Sequence, residues 1–213
     1  PTVAPYAKLG EVHIRVTARA AGEEDAAARI APVEAAIRAR AGQYVYGTDE
    51  QTLEEVVGLL LRARGLTLAV AESCTGGGLG ARLTNIPGSS EYFLGGVIAY
   101  SNALKTKLLG VPAEALAAHG AVSEQTAGAM AAGVIAATGA DVGVSITGIA
   151  GPGGGTAEKP VGLVYIGVAQ TGQAPRAYRY TMFGSRAAVR LRAAQEALVV
   201  LHHTLTGREV TPW

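Results

Sequence analysis

The chain has little of what staples or decorates small folds: one cysteine, Cys74, two methionines and one tryptophan among 213 residues. A single thiol excludes internal disulfides and four-cysteine metal sites, and it fits a reducing, cytoplasmic setting. The four histidines, His13, His119, His202 and His203, are too scattered to suggest a metal motif, so no metal and no redox cofactor is expected. Sustained runs of Leu, Ile and Phe are missing too. The uncharged stretch Ala127 to Ala140 is dominated by Ala, Gly and Thr before Asp141 ends it, so no membrane span is expected. The opening residues, Pro1 to Pro5, lack the basic start and apolar run of a signal peptide, and the missing initiator Met suggests part of a longer polypeptide. An excess of one charge is also absent: 18 Lys and Arg against 17 Asp and Glu leave +1, so any anion site must be local.

What is present is apolar mass. At 49% hydrophobic and 16% charged, disorder and coiled coil are excluded, and 213 residues suffice for one good-sized domain with a small companion. Residues 11 to 19 alternate Val12, Ile14 and Val16 with His13, Arg15 and Thr17, the pattern of a half-buried strand. A helix is expected over 23–40, with acids first and Arg38 and Arg40 last, then a short strand at Tyr44-Val45-Tyr46. Strand, helix and strand bury little, so residues 1–48 read as a small α+β arm. From Thr48, placed as a helix cap, residues 49–213 alternate strands with helices. Strands are expected at 67–71, 96–100, 142–147, 162–169 and 176–183, and helices at 76–84, 123–138 and 185–206. That order predicts an α/β fold, a three-layer α/β/α sandwich with a mainly parallel sheet. The Ala- and Gly-rich helix 127–138 offers a surface for close packing in a homodimer.

Two loops follow predicted strands, at the carboxyl ends where open α/β sheets bind ligands. The first is Glu72-Ser73-Cys74-Thr75-Gly76-Gly77-Gly78, a hydroxyl, a thiol and three glycines entering a helix. Its helix N–H groups can stabilise an oxyanion or a phosphate. A mere tight turn is the alternative. Gly76-Gly77-Gly78-Leu79-Gly80-Ala81 also satisfies G-x-G-x-x-A, but the next strand ends Ala99-Tyr100-Ser101-Asn102, with no acid to hold a ribose. The second loop runs Ser145-Ile146-Thr147-Gly148-Ile149-Ala150-Gly151-Pro152-Gly153-Gly154-Gly155 and is uncharged; a ligand loop and a flexible surface loop are both open readings.

These pieces, with Tyr100-Ser101-Asn102 before Lys105, Gly120-Ala121-Val122-Ser123 and Lys159-Pro160-Val161-Gly162, resemble in order the CinA C-terminal family over about residues 50–213. Residues 1–48 resemble the KH-like linker domain of full-length CinA proteins, which implies an upstream pyrophosphatase-like domain. The family consists of nicotinamide mononucleotide deamidases, and the resemblance implies a serine and lysine dyad at Ser73 and Lys105 with Tyr100 nearby. Ser73 would attack the carboxamide while Lys105 moves the proton, with N–H groups around Thr75, Gly76 and Gly77 as the oxyanion hole. Thr147 and Arg186 are expected on the substrate phosphate, Arg186 because Gly184-Ser185-Arg186 opens a helix, with Gly148, Gly151 and Asn102 also at the substrate. Ser101 and Asn102 could instead cap the helix that carries Lys105.

A lysine base must be neutral, so Lys105 should be buried, near Ser73, with activity leaning alkaline. Cys74 is the rival nucleophile, and a lone buried thiol is its alternative. Arg176, Arg179, Arg190 and Arg192 read as solvated surface residues. A nucleotide-binding regulatory module without turnover is the competing function. Nucleic-acid binding by the arm is not expected, because the glycines of residues 1–48 do not form G-x-x-G.

Overall fold

The computed structural model describes residues 1–8 and 10–212, which fall into two compact units, Pro1–Asp49 and Glu50–Trp213. In the first unit, β1 (Thr2–Lys8) pairs antiparallel with β2 (Glu11–Thr17), and Tyr6 faces His13 in the ladder. The sequence alone assigns no strand to residues 2–8; Pro5 fits in β1 because an edge position tolerates a proline. Helix α1 (Glu23–Ala41) follows, with Glu23, Glu24 and Asp25 in its first turn and Arg38 and Arg40 in its last. Two expectations change here. The strand's apolar face is largely uncovered, with Val12 60% and Ile14 45% exposed and only Val16 part-buried, because a two-stranded ribbon with one helix supplies no layer to cover it. Tyr44-Val45-Tyr46 is not a strand: a 3-10 turn at Gly42–Tyr44 leads into irregular chain.

The second unit opens with α2 (Leu53–Arg64). Its cap is Thr52 rather than Thr48, because Thr52 and Glu55 form a reciprocal capping box, each side chain accepting from the other's backbone N–H. The remaining elements are β3 (Leu68–Glu72), α3 (Gly78–Thr84), β4 (Phe93–Ile98), α4 (Asn102–Leu109), α5 (Ala113–His119), α6 (Glu124–Thr138), β5 (Val142–Gly148), β6 (Leu163–Gln170), β7 (Arg176–Thr181) and α7 (Arg186–Thr206). The sheet order is β4-β3-β5-β6-β7. Helix α6 covers one face, with α4 and α5 beside it, and α7 covers the other with α2 and α3. This is the expected three-layer α/β/α sandwich.

The sheet is mixed, so the expectation of a mainly parallel sheet holds only loosely. β4 and β5 run parallel to β3, whereas β6 is antiparallel to β5 and to β7. The reason is the second loop. Residues 149–162 form no helix, so the chain returns beside β5 in the opposite sense instead of crossing over. β6 alone is therefore reversed, β7 running with β4, β3 and β5, and the consequence for chemistry is that the carboxyl ends of the three adjacent strands β4, β3 and β5 meet side by side.

Close packing of α6 explains the small residues read as a dimer surface. A Cβ at Gly143 would lie 2.2 Å from Ala131 O and one at Gly167 2.4 Å from Ala127 O, so the helix backbone rests directly on the sheet. A Cβ at Gly133 would likewise meet Leu109 O at 1.9 Å. The Ala- and Gly-rich face is therefore consumed inside the chain.

Helix α7 buries Val189, Ala193, Ala197, Leu198, Leu201 and Leu205, and with them His202, only 4% exposed. Burial pushes His202 down from 6.5 to about 4, with Arg208 and His203 adding to the shift. The unfolded chain thus takes up a proton that the fold refuses. Stability should be full above about pH 6.5 and fall by up to about 3 kcal/mol as pH drops toward 4. Melting temperatures from pH 7 to 4.5 should show this fall, and a His202→Gln chain should lose most of that slope. An unchanged slope would mean that another group controls acid stability.

Among the described residues no helix is long and apolar enough to cross a membrane.

Candidate active site

The turn after β3 holds Ser73 in place from two sides. Its N–H donates to Ile146 O of β5 at 2.9 Å, and its carbonyl accepts from Gly76 N–H at 3.1 Å. Gly76 and Gly77 take φ of +60° and +96°, the left-handed region that this sharp entry into α3 requires. Ser73 is buried, 7% exposed.

Lys105 comes from the neighbouring strand's exit. Ser101 caps α4, accepting from Leu104 N–H at 3.2 Å, and Lys105 follows one turn later on the inward side, fully buried. Its Nζ lies 3.1 Å from Ser73 Oγ, 2.7 Å from Ala99 O and 3.3 Å from Tyr100 O. Burial lowers its pKa from the ordinary 10.5, opposed only by Cys74. As an ammonium, Lys105 has one hydrogen for each of the three oxygens; once neutral, it can keep two hydrogens on the carbonyls and turn its lone pair to the serine hydroxyl.

Cys74 does not compete. It is 5% exposed, and burial, with Glu72 adding, pushes its thiol up to about 11, so the thiolate is scarce at neutral pH.

The expected oxyanion hole is redrawn by a carboxylate. Glu72, the last residue of β3 and 1% exposed, turns its side chain back under the helix that follows. Its Oε2 accepts from Gly77 N–H at 3.0 Å and Leu79 N–H at 3.1 Å, and its Oε1 from Gly80 N–H at 2.8 Å. Gly77 is thereby engaged by Glu72 and Gly76 by Ser73 O. Among the described residues, Thr75 alone of the three expected keeps an N–H without an acceptor; the N–H of Cys74 has no backbone acceptor and interacts with its own thiol. The Thr75 hydroxyl is buried and also lacks a partner among the described residues.

The residues expected at the substrate divide. Arg186 donates to Gly151 O at 2.8 Å and to the Tyr100 hydroxyl at 3.0 Å, so it joins the glycine-rich loop to the exit of β4. Tyr100 links both clusters, its carbonyl accepting from Lys105 and the hydroxyl of its exposed side chain accepting from Arg186. Thr147 is buried and donates its hydroxyl hydrogen to Ala121 O at 2.7 Å, which leaves no free donor for a phosphate. Gly148 is a close approach, since a Cβ there would lie 2.8 Å from Leu163 O. Asn102 sits exposed at the start of α4, where Ser101 and not Asn102 is the cap.

Two residues escaped the sequence reading. Glu72 has no local signature, because a strand-end acid ordinarily points to solvent. Arg190 was read as solvated, but its Nε donates to Cys74 O at 3.1 Å and its Nη2 to Thr75 O at 2.7 Å. The available signal was its place four residues after Arg186, on the same helix face.

Residues 50–205 match the family model of the CinA C-terminal domain, and residues 1–47 that of the damage-inducible protein CinA KH domain. A CinA-like protein of Synechococcus sp. is 56% identical over 206 residues, which is 96% of this chain and 49% of that protein. A CinA-like protein of Kosmotoga olearia is 51% identical over 205 residues, again 96% of this chain and 50% of that one. The chain thus spans about half the length of the curated relatives it matches. Among solved structures, the competence/damage inducible protein CihA from Agrobacterium tumefaciens superposes with a TM-score of 0.69 at 38% identity, covering 76% of this chain and 98% of that one. A CinA superfamily protein from Klebsiella pneumoniae gives 0.70 at 36%, covering 74% and 99%.

Proposed function

Because the chain belongs to the CinA family, we propose that it is an amidohydrolase that converts nicotinamide mononucleotide to nicotinic acid mononucleotide and ammonia. The single observation carrying this reading is the buried Lys105 amine held 3.1 Å from Ser73 Oγ by two backbone carbonyls. Ser73 Oγ bonds to the carboxamide carbon as its proton passes to Lys105. The charged oxygen that forms meets the N–H groups of Thr75 and Cys74. Lys105 then returns the proton to the nitrogen, the C–N bond breaks, and ammonia leaves an acyl-serine. Water, deprotonated by the same amine, releases the carboxylate and restores Ser73. Tyr100 and Arg186, at the mouth of the site, are the groups to meet the nucleotide, with Arg186 the cation for its phosphate.

The test is ammonia release from nicotinamide mononucleotide by the wild-type chain, Ser73→Ala, Lys105→Ala and Cys74→Ala, each shown to be folded. Release should survive Cys74→Ala and vanish in the other two. A wild-type chain that binds the nucleotide without releasing ammonia would instead be a nucleotide-binding module.

The pH profile has a fixed sign. Only neutral Lys105 accepts a proton, so kcat/KM should rise about tenfold per pH unit on its acid limb and level off above the lowered lysine pKa, below the ordinary 10.5. A profile that falls as pH rises would remove Lys105 as the base.

A further inference from the structure

We infer that Arg190 is a positioning residue that aims and strengthens the oxyanion donors from behind the nucleophile turn. This rests on Ser73 being the nucleophile, as proposed above. The guanidinium reaches from α7 to two consecutive carbonyls, Cys74 O at 3.1 Å and Thr75 O at 2.7 Å. In a trans peptide the C=O and N–H point in opposite directions. Holding Cys74 O toward Arg190 therefore turns the N–H of Thr75, the other end of the same peptide group, to the opposite side. Among the described residues, that N–H is the one donor of the expected three left without an acceptor.

The partner chemistry of Arg190 supports the role. Among the described residues it forms no ion pair, so its charge acts on the two peptide groups without a neighbouring carboxylate to neutralise it. A cation on a carbonyl oxygen draws electron density from the amide and makes its N–H a stronger donor, as in any polarised hydrogen-bond chain. Glu72 does the complementary work one turn on, engaging Gly77, Leu79 and Gly80 so that those N–H groups cannot compete for the oxyanion. Arg186 and Arg190 lie four residues apart on α7 and hold different loops, Arg186 the glycine-rich loop through Gly151 O and Arg190 the serine turn. One helix face thus sets both walls of the site.

The experiment compares wild type, Arg190→Lys, Arg190→Gln and Arg190→Ala in two assays: ammonia release, and covalent labelling of Ser73 by a fluorophosphonate, located by mass spectrometry. The second reads the stabilised oxyanion without any natural substrate. Arg190→Gln should lower kcat by about 10- to 100-fold with KM within about threefold of wild type, and should slow labelling by a similar factor. Arg190→Lys keeps the charge but lacks the two-pronged fork, so it should be folded and still impaired. Added guanidinium should restore part of the Arg190→Ala rate and none of the Arg190→Lys rate, a response that loss of stability would not give.

Labelling at the wild-type rate in Arg190→Gln, or a raised KM with kcat unchanged, would overturn the inference, the latter because Arg190 would then be contacting substrate. Wild type labelled at Ser73 in an Arg190-dependent way but silent on nicotinamide mononucleotide would remove the substrate reading alone. Wild type unlabelled at Ser73 would remove both.

Discussion

Replacing Lys105 with Met should lower kcat for ammonia release by about 10³-fold or more while leaving a folded protein, because removing a general base that activates the nucleophile removes most of what the dyad contributes. The fold should survive because two effects oppose. Met fills nearly the same length of buried space and carries no amine to desolvate, which favours the variant. Ala99 O and Tyr100 O lose their donor, which costs about 1–3 kcal/mol for each that is sealed from water. The net should lie within about 2 kcal/mol of zero, too little to unfold a domain of ordinary stability. A double variant, Ser73→Ala with Lys105→Met, should be no slower than Ser73→Ala alone, since the pair acts as a unit. Losses that multiply in the double variant would show that the two act separately, and the 3.1 Å contact would then be only structural.

The alternation of strands and helices was readable because each element carries its own start and stop. Ser101, Ser123 and Ser185 each cap the helix that follows through a side-chain oxygen, and Gly65 and Gly139 end helices in the left-handed conformation. Such signals are local, as is the pattern of residues around them. The direction of β6 is not local. It depends on whether residues 149–162 coil into a crossover helix or a loop, and a glycine-rich stretch predicts only the absence of the helix. The exposure of Val12 and Ile14 in β2 has a similar origin: they form an apolar face by sequence, but burial needs another element to cover it.

The same division runs through the site. Ser73 and Lys105 are 32 residues apart, and their meeting was readable only through the resemblance of their motifs to a family, supported by placing both at neighbouring strand ends. Thr147 was misjudged because its position after Ile146 is correct while its hydroxyl is turned to Ala121 O, a choice of rotamer that no spacing reveals. Arg190 was dismissed on the general tendency of arginines to be solvated. Its partners are backbone carbonyls more than a hundred residues away, and carbonyl acceptors leave no mark on a sequence.

Glu72→Ala should be the most damaging single change at the site, destabilising the chain by about 3 kcal/mol or more and abolishing amide hydrolysis with it. Three buried or half-buried N–H groups would lose their acceptor at once, and each orphaned donor costs about 1–3 kcal/mol. A charged acceptor is the stronger kind, and here it also meets the positive end of the chain entering α3. Glu72→Gln separates charge from geometry. Its oxygen can replace Oε2 on Gly77 and Leu79, but its NH2 then faces the N–H of Gly80, donor against donor, so an intermediate loss is expected in chemical denaturation. The ordering Ala worse than Gln, in stability and in kcat together, would establish that the glycines read as a landing place for the substrate's anion are filled by the protein's own. If Glu72→Ala instead lost less than about 1 kcal/mol and kept its rate, water would be a sufficient substitute for the carboxylate. Gly77 would then be free to serve as an oxyanion donor after all, and Arg190 would no longer have reason to favour Thr75 over it.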